Sequence, residues 1–299
     1  MNTTTRRRFL AITAAATAVF PGAACAHVAR WTGYALGGPV SMKLVGISDS
    51  EAAPIFGLIE AELSRLEGIF SLYRDDSELT RLNKNKVLTT PSPELLQLLS
   101  LCDVLHKASE GAFDPSIQPL WTALALQKNP ERVAAARALV GWGQLSFGTS
   151  SVRLNRGGSL TLNGVAQGAI TDRIADLLRS QGLRNVLLDM GEVAAMGNGP
   201  SGPWSIGVAL PDGRLVHRLT TSDRAVATSA PVAMGYGADQ RHIISPSGHA
   251  ARQKMVCVSA AEAAIADGLS TAACIMSPKQ VDAMMHRFPS ARIEKLITA

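Results

Sequence analysis

Asp267 and Thr271 stand four residues apart in Ala266-Asp267-Gly268-Leu269-Ser270-Thr271-Ala272-Ala273-Cys274-Ile275-Met276, a segment otherwise apolar enough to be buried. Residues i and i+4 share a helical face, so a carboxylate and a hydroxyl would project together. A buried carboxylate is costly without a partner, and Asp267 therefore requires a cation or hydrogen-bond donors. Two hard oxygens suit Mg²⁺, which is commonly held by one or two protein oxygens while substrate phosphates complete its shell. A second reading is a helix cap, with Asp267 accepting backbone N–H groups of the turn from Gly268 to Thr271. Asn163-Gly164-Val165-Ala166-Gln167-Gly168 forms a second constellation, running from a strand-like stretch into a helix-like one. Glycines let backbone approach a ligand there, and a helix N-terminus offers N–H groups and a positive dipole end to an anion. The segment lacks the Lys-Ser/Thr of a phosphate loop and the dinucleotide pattern Gly-x-Gly-x-x-Gly, so a plain strand–turn–helix junction competes with the anion reading.

The elements that position these residues follow from periodicity. Residues 52–69 place Ile55, Leu58, Ile59, Leu63 and Leu66 on one face of an amphipathic helix. A turn from Tyr73 enters a short helix ending at Leu82, and residues 93–110 form a helix capped by Ser92 and closed by Gly111. Residues 132–140, 169–180, 262–276 and 281–287 read as further helices. Strands are expected at 34–45, interrupted by Gly37-Gly38-Pro39, and at 151–154, 160–162, 185–189, 225–229, 242–245 and 254–260. Residues 192–197 read as a continuation of the strand at 185–189. Residues 204–210 and 215–220 pair as a hairpin across Pro211-Asp212-Gly213. Hairpins and mixed pairing argue for an α+β fold rather than a doubly wound sheet.

The N-terminus reads Thr5-Arg6-Arg7-Arg8-Phe9-Leu10, then an Ala-rich apolar run, then Ala24-Cys25-Ala26. A basic start, a short apolar region and a small-x-small site describe an export signal, with twin-arginine character in its Arg pair. A membrane anchor and a lipid-modified Cys25 are the competing readings. Residues 1–26 are therefore expected to be a cleaved signal and residues 27–299 the functional domain, with no stable membrane span once the signal is removed. The first 26 residues hold three arginines and no acid, leaving 26 Lys and Arg against 24 Asp and Glu in the remainder. That balance, with 5% aromatic residues and no basic stripe, gives no indication of a nucleic-acid partner. Cys102, Cys257 and Cys274 show no Cys-x-x-Cys spacing, and Cys257 and Cys274 read as core residues.

The order of short motifs carries more than any one of them. Leu36-Gly37-Gly38 is followed by Ser71-x-Tyr73-x-x-Asp76-Ser77-Glu78-Leu79-x-x-Leu82-Asn83, then Gly111-Ala112-Phe113-Asp114-Pro115 with Pro119-Leu120-Trp121. Next come Asn163–Gly168 with Asp172, Ala225-Val226-Ala227-Thr228-Ser229, His242-Ile243-Ile244-x-Pro246-x-Gly248 and Ala266–Thr271. This series resembles the family of FAD:protein FMN transferases over roughly residues 34–276. Residues 162–168 and 187–192 are similar to the branch of that family accompanying nitrous oxide respiration.

The resemblance implies a two-lobed α+β fold with mixed or antiparallel sheets and FAD between the lobes. It places Leu36, Tyr73, Ala112, Phe113, Asp114, Thr161, Gln167 and Ile244 at the flavin nucleotide, and Mg²⁺ on Asp267, Thr271 and a backbone carbonyl at Gly164. The implied reaction sends a threonine or serine hydroxyl of an acceptor onto the FMN-side phosphorus of FAD, with AMP leaving. His242 is the candidate base, because histidine titrates near neutral pH. The acceptor implied is a periplasm-facing flavoprotein domain of a membrane-bound electron-transfer protein. Four departures from the family pattern stand out. Gln167 replaces the usual Lys or Glu, and Thr161 stands where Asp is frequent. Ser245 follows His-Ile-Ile in place of Asp, and Leu36-Gly37-Gly38-Pro39 replaces Met-Gly-Thr. A pyrophosphatase releasing FMN and AMP, and a non-catalytic flavin-binding or delivery protein, are the alternative readings.

Overall fold

The computed structural model describes residues 27–35, 37–210, 212–232 and 242–299. Strands β1 (Val28–Ala35) and β2 (Gly38–Val45) lead into helix α1 (Asp49–Phe70). Then follow α2 (Glu78–Asn85), β3 (Val87–Thr89), α3 (Pro93–Ala108), α4 (Gln118–Ala125), α5 (Pro130–Arg137), β4 (Ser146–Phe147) and β5 (Ser151–Arg153). The second half holds α6 (Ala166–Ser180), β6 (Val186–Asp189), β7 (Val193–Met196), β8 (Trp204–Ala209), β9 (Leu215–Thr221), β10 (Arg224–Ser229) and β11 (Gln253–Ala260). The last elements are α7 (Ala263–Ala273), α8 (Pro278–Met285) and β12 (Arg292–Thr298).

Seven strands form one sheet in the order β1-β2-β6-β7-β10-β11-β12, and each neighbouring pair in it is antiparallel. The α+β expectation therefore holds. Side chains alternate across a strand, and this sheet uses both faces. Val186, Leu188, Ala194, Val256 and Val258 join the main core with α1, α6 and α7. Leu187, Val193, Ala195, Met255 and Cys257 face the opposite way and pack under the β8–β9 hairpin with Trp204, Ile206 and Val208. Trp204 is buried there with its indole N–H donated to the Met196 carbonyl at 2.9 Å, which satisfies its one polar atom. The small sheet β3-β5-β4 and α2 share the main core through Leu79, Leu82, Leu88 and Val152.

Several sequence expectations are corrected. Residues 192–197 do not extend the strand at 185–189. The chain reverses at Gly191, whose φ is +96°, and β7 runs antiparallel to β6. Residues 160–162 form no strand, because Leu160 exchanges both backbone hydrogen bonds with the Asn83 side-chain amide, at 2.8 and 2.7 Å. Residues 242–245 are likewise not a strand: they lead into a turn closed by Gly248 N–H donating to the Ser245 carbonyl at 3.0 Å. The interruption at Gly37 is a turn between two separate strands, with φ of +82° at Gly37.

Candidate active site

Two helix starts meet at the base of one cleft. Helix α6 begins at Ala166 with no side-chain cap, and its Gly168 N–H donates to Asp267 Oδ2 at 3.3 Å. Helix α7 also lacks a cap of its own. Asp172, from α6, accepts the N–H groups of Ala263 at 2.7 Å and Ala264 at 2.9 Å. Each helix thus sends a carboxylate to the other's first turn, where the dipole favours negative charge. Close approach makes this possible: a Cβ at Gly168 would lie 2.5 Å from the Ala263 carbonyl oxygen. Asp267 lies inside α7 rather than at its start, so the reading in which it caps its own turn is corrected.

The cleft is lined by Ala112, Phe113, Asp114, Trp121, Thr161, Gly164, Gln167, Gly191, Glu192, Ser229, His242, Ile244, Asp267 and Thr271, among others. Segments expected at the flavin nucleotide thus converge with the Asp267–Thr271 pair. Thr271 packs against Gly164 so tightly that a Cβ there would be 3.1 Å from Thr271 Oγ1 and 3.4 Å from Phe113. Thr271 Oγ1 also lies 3.3 Å from Ser229 Oγ, which is 2.7 Å from Ser270 Oγ. Gln167 lies over Gly191, where an added Cβ would overlap its amide nitrogen at 2.3 Å. Asp114 accepts from the Ser116 N–H at 2.8 Å and its hydroxyl at 2.6 Å, so it caps the turn at Pro115 while also facing the cleft. His242 is held by its backbone N–H donating to the Pro231 carbonyl at 2.9 Å.

Of the positions expected at the flavin nucleotide, one is away from the cleft and one lies outside the described residues. Tyr73 is 57% exposed and is not among the cleft-lining residues. Ser245, which stands in place of Asp, is buried between cleft-lining Ile244 and Pro246 in the chain, with its hydroxyl 2.8 Å from Ser247 Oγ. Leu36 lies outside the described residues. The sequence reading gave Glu192 no role, although it follows the same signal as Asp267: an acid in the otherwise apolar run from Met190 to Met196.

Burial dominates the electrostatics. It pushes the Asp267 carboxyl up to about 7 against the opposing Gly168 hydrogen bond, with nearby Asp172 adding to the rise. Burial, and then Asp267, hold Glu192 well above the ordinary carboxylate range. Among the described residues lining the cleft there is no Lys or Arg, whereas Asp114, Glu192 and Asp267 are all acidic. No cluster of three His, Cys, Asp or Glu side chains is assembled as a metal centre among the described residues. A site completed by a hydroxyl and a carbonyl is the alternative, and the donors fit a hard divalent cation. Among the described residues, the Asp267 carboxylate has a single long N–H donor, and Glu192 Oε2 is buried without a hydrogen-bond partner. A bound cation would satisfy both.

This α+β fold with antiparallel sheets matches that of solved flavin transferases. The structure resembles the flavin transferase ApbE from Vibrio cholerae, with a TM-score of 0.79 and 26% identity over 92% of this chain and 97% of that one. Flavinyl transferase ApbE from Pseudomonas stutzeri gives 0.77 and 27%, over 92% and 94%. The chain belongs to the ApbE family, whose sequence profile matches residues 36–295. A curated FAD:protein FMN transferase of Vibrio cholerae is 28% identical over 83% of this chain and 81% of its own length. One from Haemophilus influenzae is 30% identical over 56% of this chain, and the match spans about half of that relative, 52%.

Proposed function

We propose that this chain is an FAD:protein FMN transferase. The supporting observation is the convergence of Phe113, Gln167, Gly164, Asp267, Thr271 and His242 on one cleft in a chain of this family. The pyrophosphate of FAD lies across the starts of α6 and α7, with the flavin-side segment against Ala112–Asp114 and Ile244. The acceptor's threonine or serine oxygen bonds to the FMN-side phosphorus, the bond from that phosphorus to the AMP oxygen breaks, and AMP leaves. His242 takes the hydroxyl proton as that oxygen attacks. In-line displacement of this kind depends mainly on positioning and on neutralising charge. Mg²⁺ held by Asp267, Thr271 and the Gly164 carbonyl would supply that neutralisation at an otherwise acidic site.

The acceptor in this reading is a periplasm-facing flavoprotein domain of a membrane-bound electron-transfer protein, and similarity within residues 162–168 and 187–192 favours a role in nitrous oxide respiration. Export through a twin-arginine signal at residues 1–26, which lie outside the described residues, puts the enzyme in the periplasm beside that acceptor. Replacing Arg6, Arg7 and Arg8 with Lys should leave the precursor in the cytoplasm. Normal export of that variant, or export in a strain without the twin-arginine route, would remove this part of the reading. The activity is tested by following FAD turnover with and without an acceptor domain. Acceptor-dependent AMP release supports transfer, and equal release of FMN and AMP without acceptor supports a pyrophosphatase.

A further inference from the structure

Glu192 follows the tight turn at Gly191 that joins β6 to β7, and the residue is 5% exposed. It lines the same cleft as Asp267 and Thr271. A backbone hydrogen bond from Thr228 reaches it, yet Oε2 has no hydrogen-bond partner among the described residues. A buried charge in this state is expensive unless an ion or donor satisfies it. No Lys or Arg lines the cleft among the described residues, so none of them supplies a fixed cation to Glu192. The anionic pyrophosphate of the proposed substrate would add to the repulsion rather than relieve it. A divalent cation held by the two buried carboxylates would offset their charge and that of the phosphates.

We propose that Glu192 is the second carboxylate of the divalent-cation site, acting with Asp267, Thr271 and the Gly164 carbonyl. This rests on the reading that the cleft holds a cation, and it extends the donor set on to the β6–β7 turn. In divalent-cation sites the number of charged ligands tunes affinity, so a second carboxylate would allow the protein to bind the ion before FAD arrives. The left-handed backbone at Gly191 follows from the same arrangement. It lets the chain reverse directly before Glu192 while leaving room for the Gln167 amide.

The test is Mn²⁺ binding to the purified mature protein without FAD, read by the loss of the free-ion paramagnetic resonance signal. Glu192→Gln keeps the shape and removes the charge, and should weaken binding about tenfold or more. Its metal-free melting temperature should be unchanged or higher, while the rise produced by Mn²⁺ shrinks. A merely structural glutamate would instead lower the metal-free value and leave the Mn²⁺ affinity alone. Wild-type Mn²⁺ affinity in Glu192→Gln overturns the proposal, whatever happens to FAD binding or turnover. Should that variant fail to fold, Glu192→Asp carries the test: weakened Mn²⁺ binding supports the proposal and unchanged affinity overturns it. Asp267→Asn separates the two levels. If it too binds Mn²⁺ normally, the cation site itself is wrong; if only it loses binding, Glu192 alone is misassigned.

Discussion

At the scale of single residues, the cleft depends on buried acids whose partners come from outside their own element. Asp267 was legible because a charge in an apolar helix demands an explanation. What the sequence could not reveal is that the hydrogen bond to its carboxylate comes from Gly168, 99 positions away in the chain. Glu192 carries the same signal, but a strand at 185–189 continued by 192–197 hides it, because the reversal at Gly191 has no local mark in the pattern. Asp114 illustrates two roles that sequence treats as alternatives, since it caps the turn before Ser116 and also faces the cleft. His242 supplies the sharpest residue-level prediction. A general base acts in the transition state, so His242→Ala should lower the transfer rate by about 10²–10⁴-fold with little change in FAD affinity. Titrating FAD fluorescence against each protein and timing flavin transfer would separate the two quantities. Equal losses in affinity and rate would make His242 a binding residue.

At the scale of elements, the reciprocal capping of α6 and α7 fixes the geometry of the site. Helices at 169–180 and 262–276 were readable from periodicity, with starts displaced by up to three residues from Ala166 and Ala263. The displaced starts matter, because first-turn N–H groups are the ones that hold Asp172 and Asp267. Sequence patterns gave no access to this, since the caps are tertiary. Residues 160–162 misled for a related reason: the Asn83 amide imitates a strand neighbour, and that pairing is invisible locally. The closeness of α6 to α7 predicts the effect of Gly168→Ala. Its Cβ would meet backbone atoms of Ala263 and Ala264 at 2.5 Å, which side-chain rotation cannot relieve. Overpacking of this kind costs about 1–3 kcal/mol. Urea unfolding should show a lower midpoint with an unchanged slope. A midpoint equal to wild type would mean the two helices are not held together as described.

At the scale of the whole molecule, one antiparallel sheet separates two cores, and the α+β class was legible from hairpin signals and apolar runs. Strand order was not, because β2 pairs with β6 and β7 with β10 across long intervening segments. Burial of acids throughout this frame sets the pH dependence of stability. Burial pushes Asp172 and Asp189 up to about 6 from 3.8. A carboxyl whose folded value exceeds its unfolded one binds its proton more tightly when folded. Its contribution is complete below about 4 and is lost as pH rises through 6. Glu62 has the opposite sign: hydrogen bonding to Arg65 is the largest cause lowering it to about 2, so its contribution fades as pH falls from 4.5 towards 2. Chelated, metal-free protein should therefore lose melting temperature between pH 4.5 and 7, and Asp172→Asn should flatten that slope. A melting temperature that rises over this range would contradict the assignment. The most direct measurement for the whole reading joins the cleft to its acceptor. Protein spanning residues 27–299 is incubated with FAD, Mg²⁺ and a folded flavoprotein domain as acceptor, and the acceptor is weighed intact while AMP is quantified. The prediction is one FMN esterified to a threonine or serine of the acceptor for each AMP released. FMN and AMP appearing together in solution, with the acceptor mass unchanged, would contradict it.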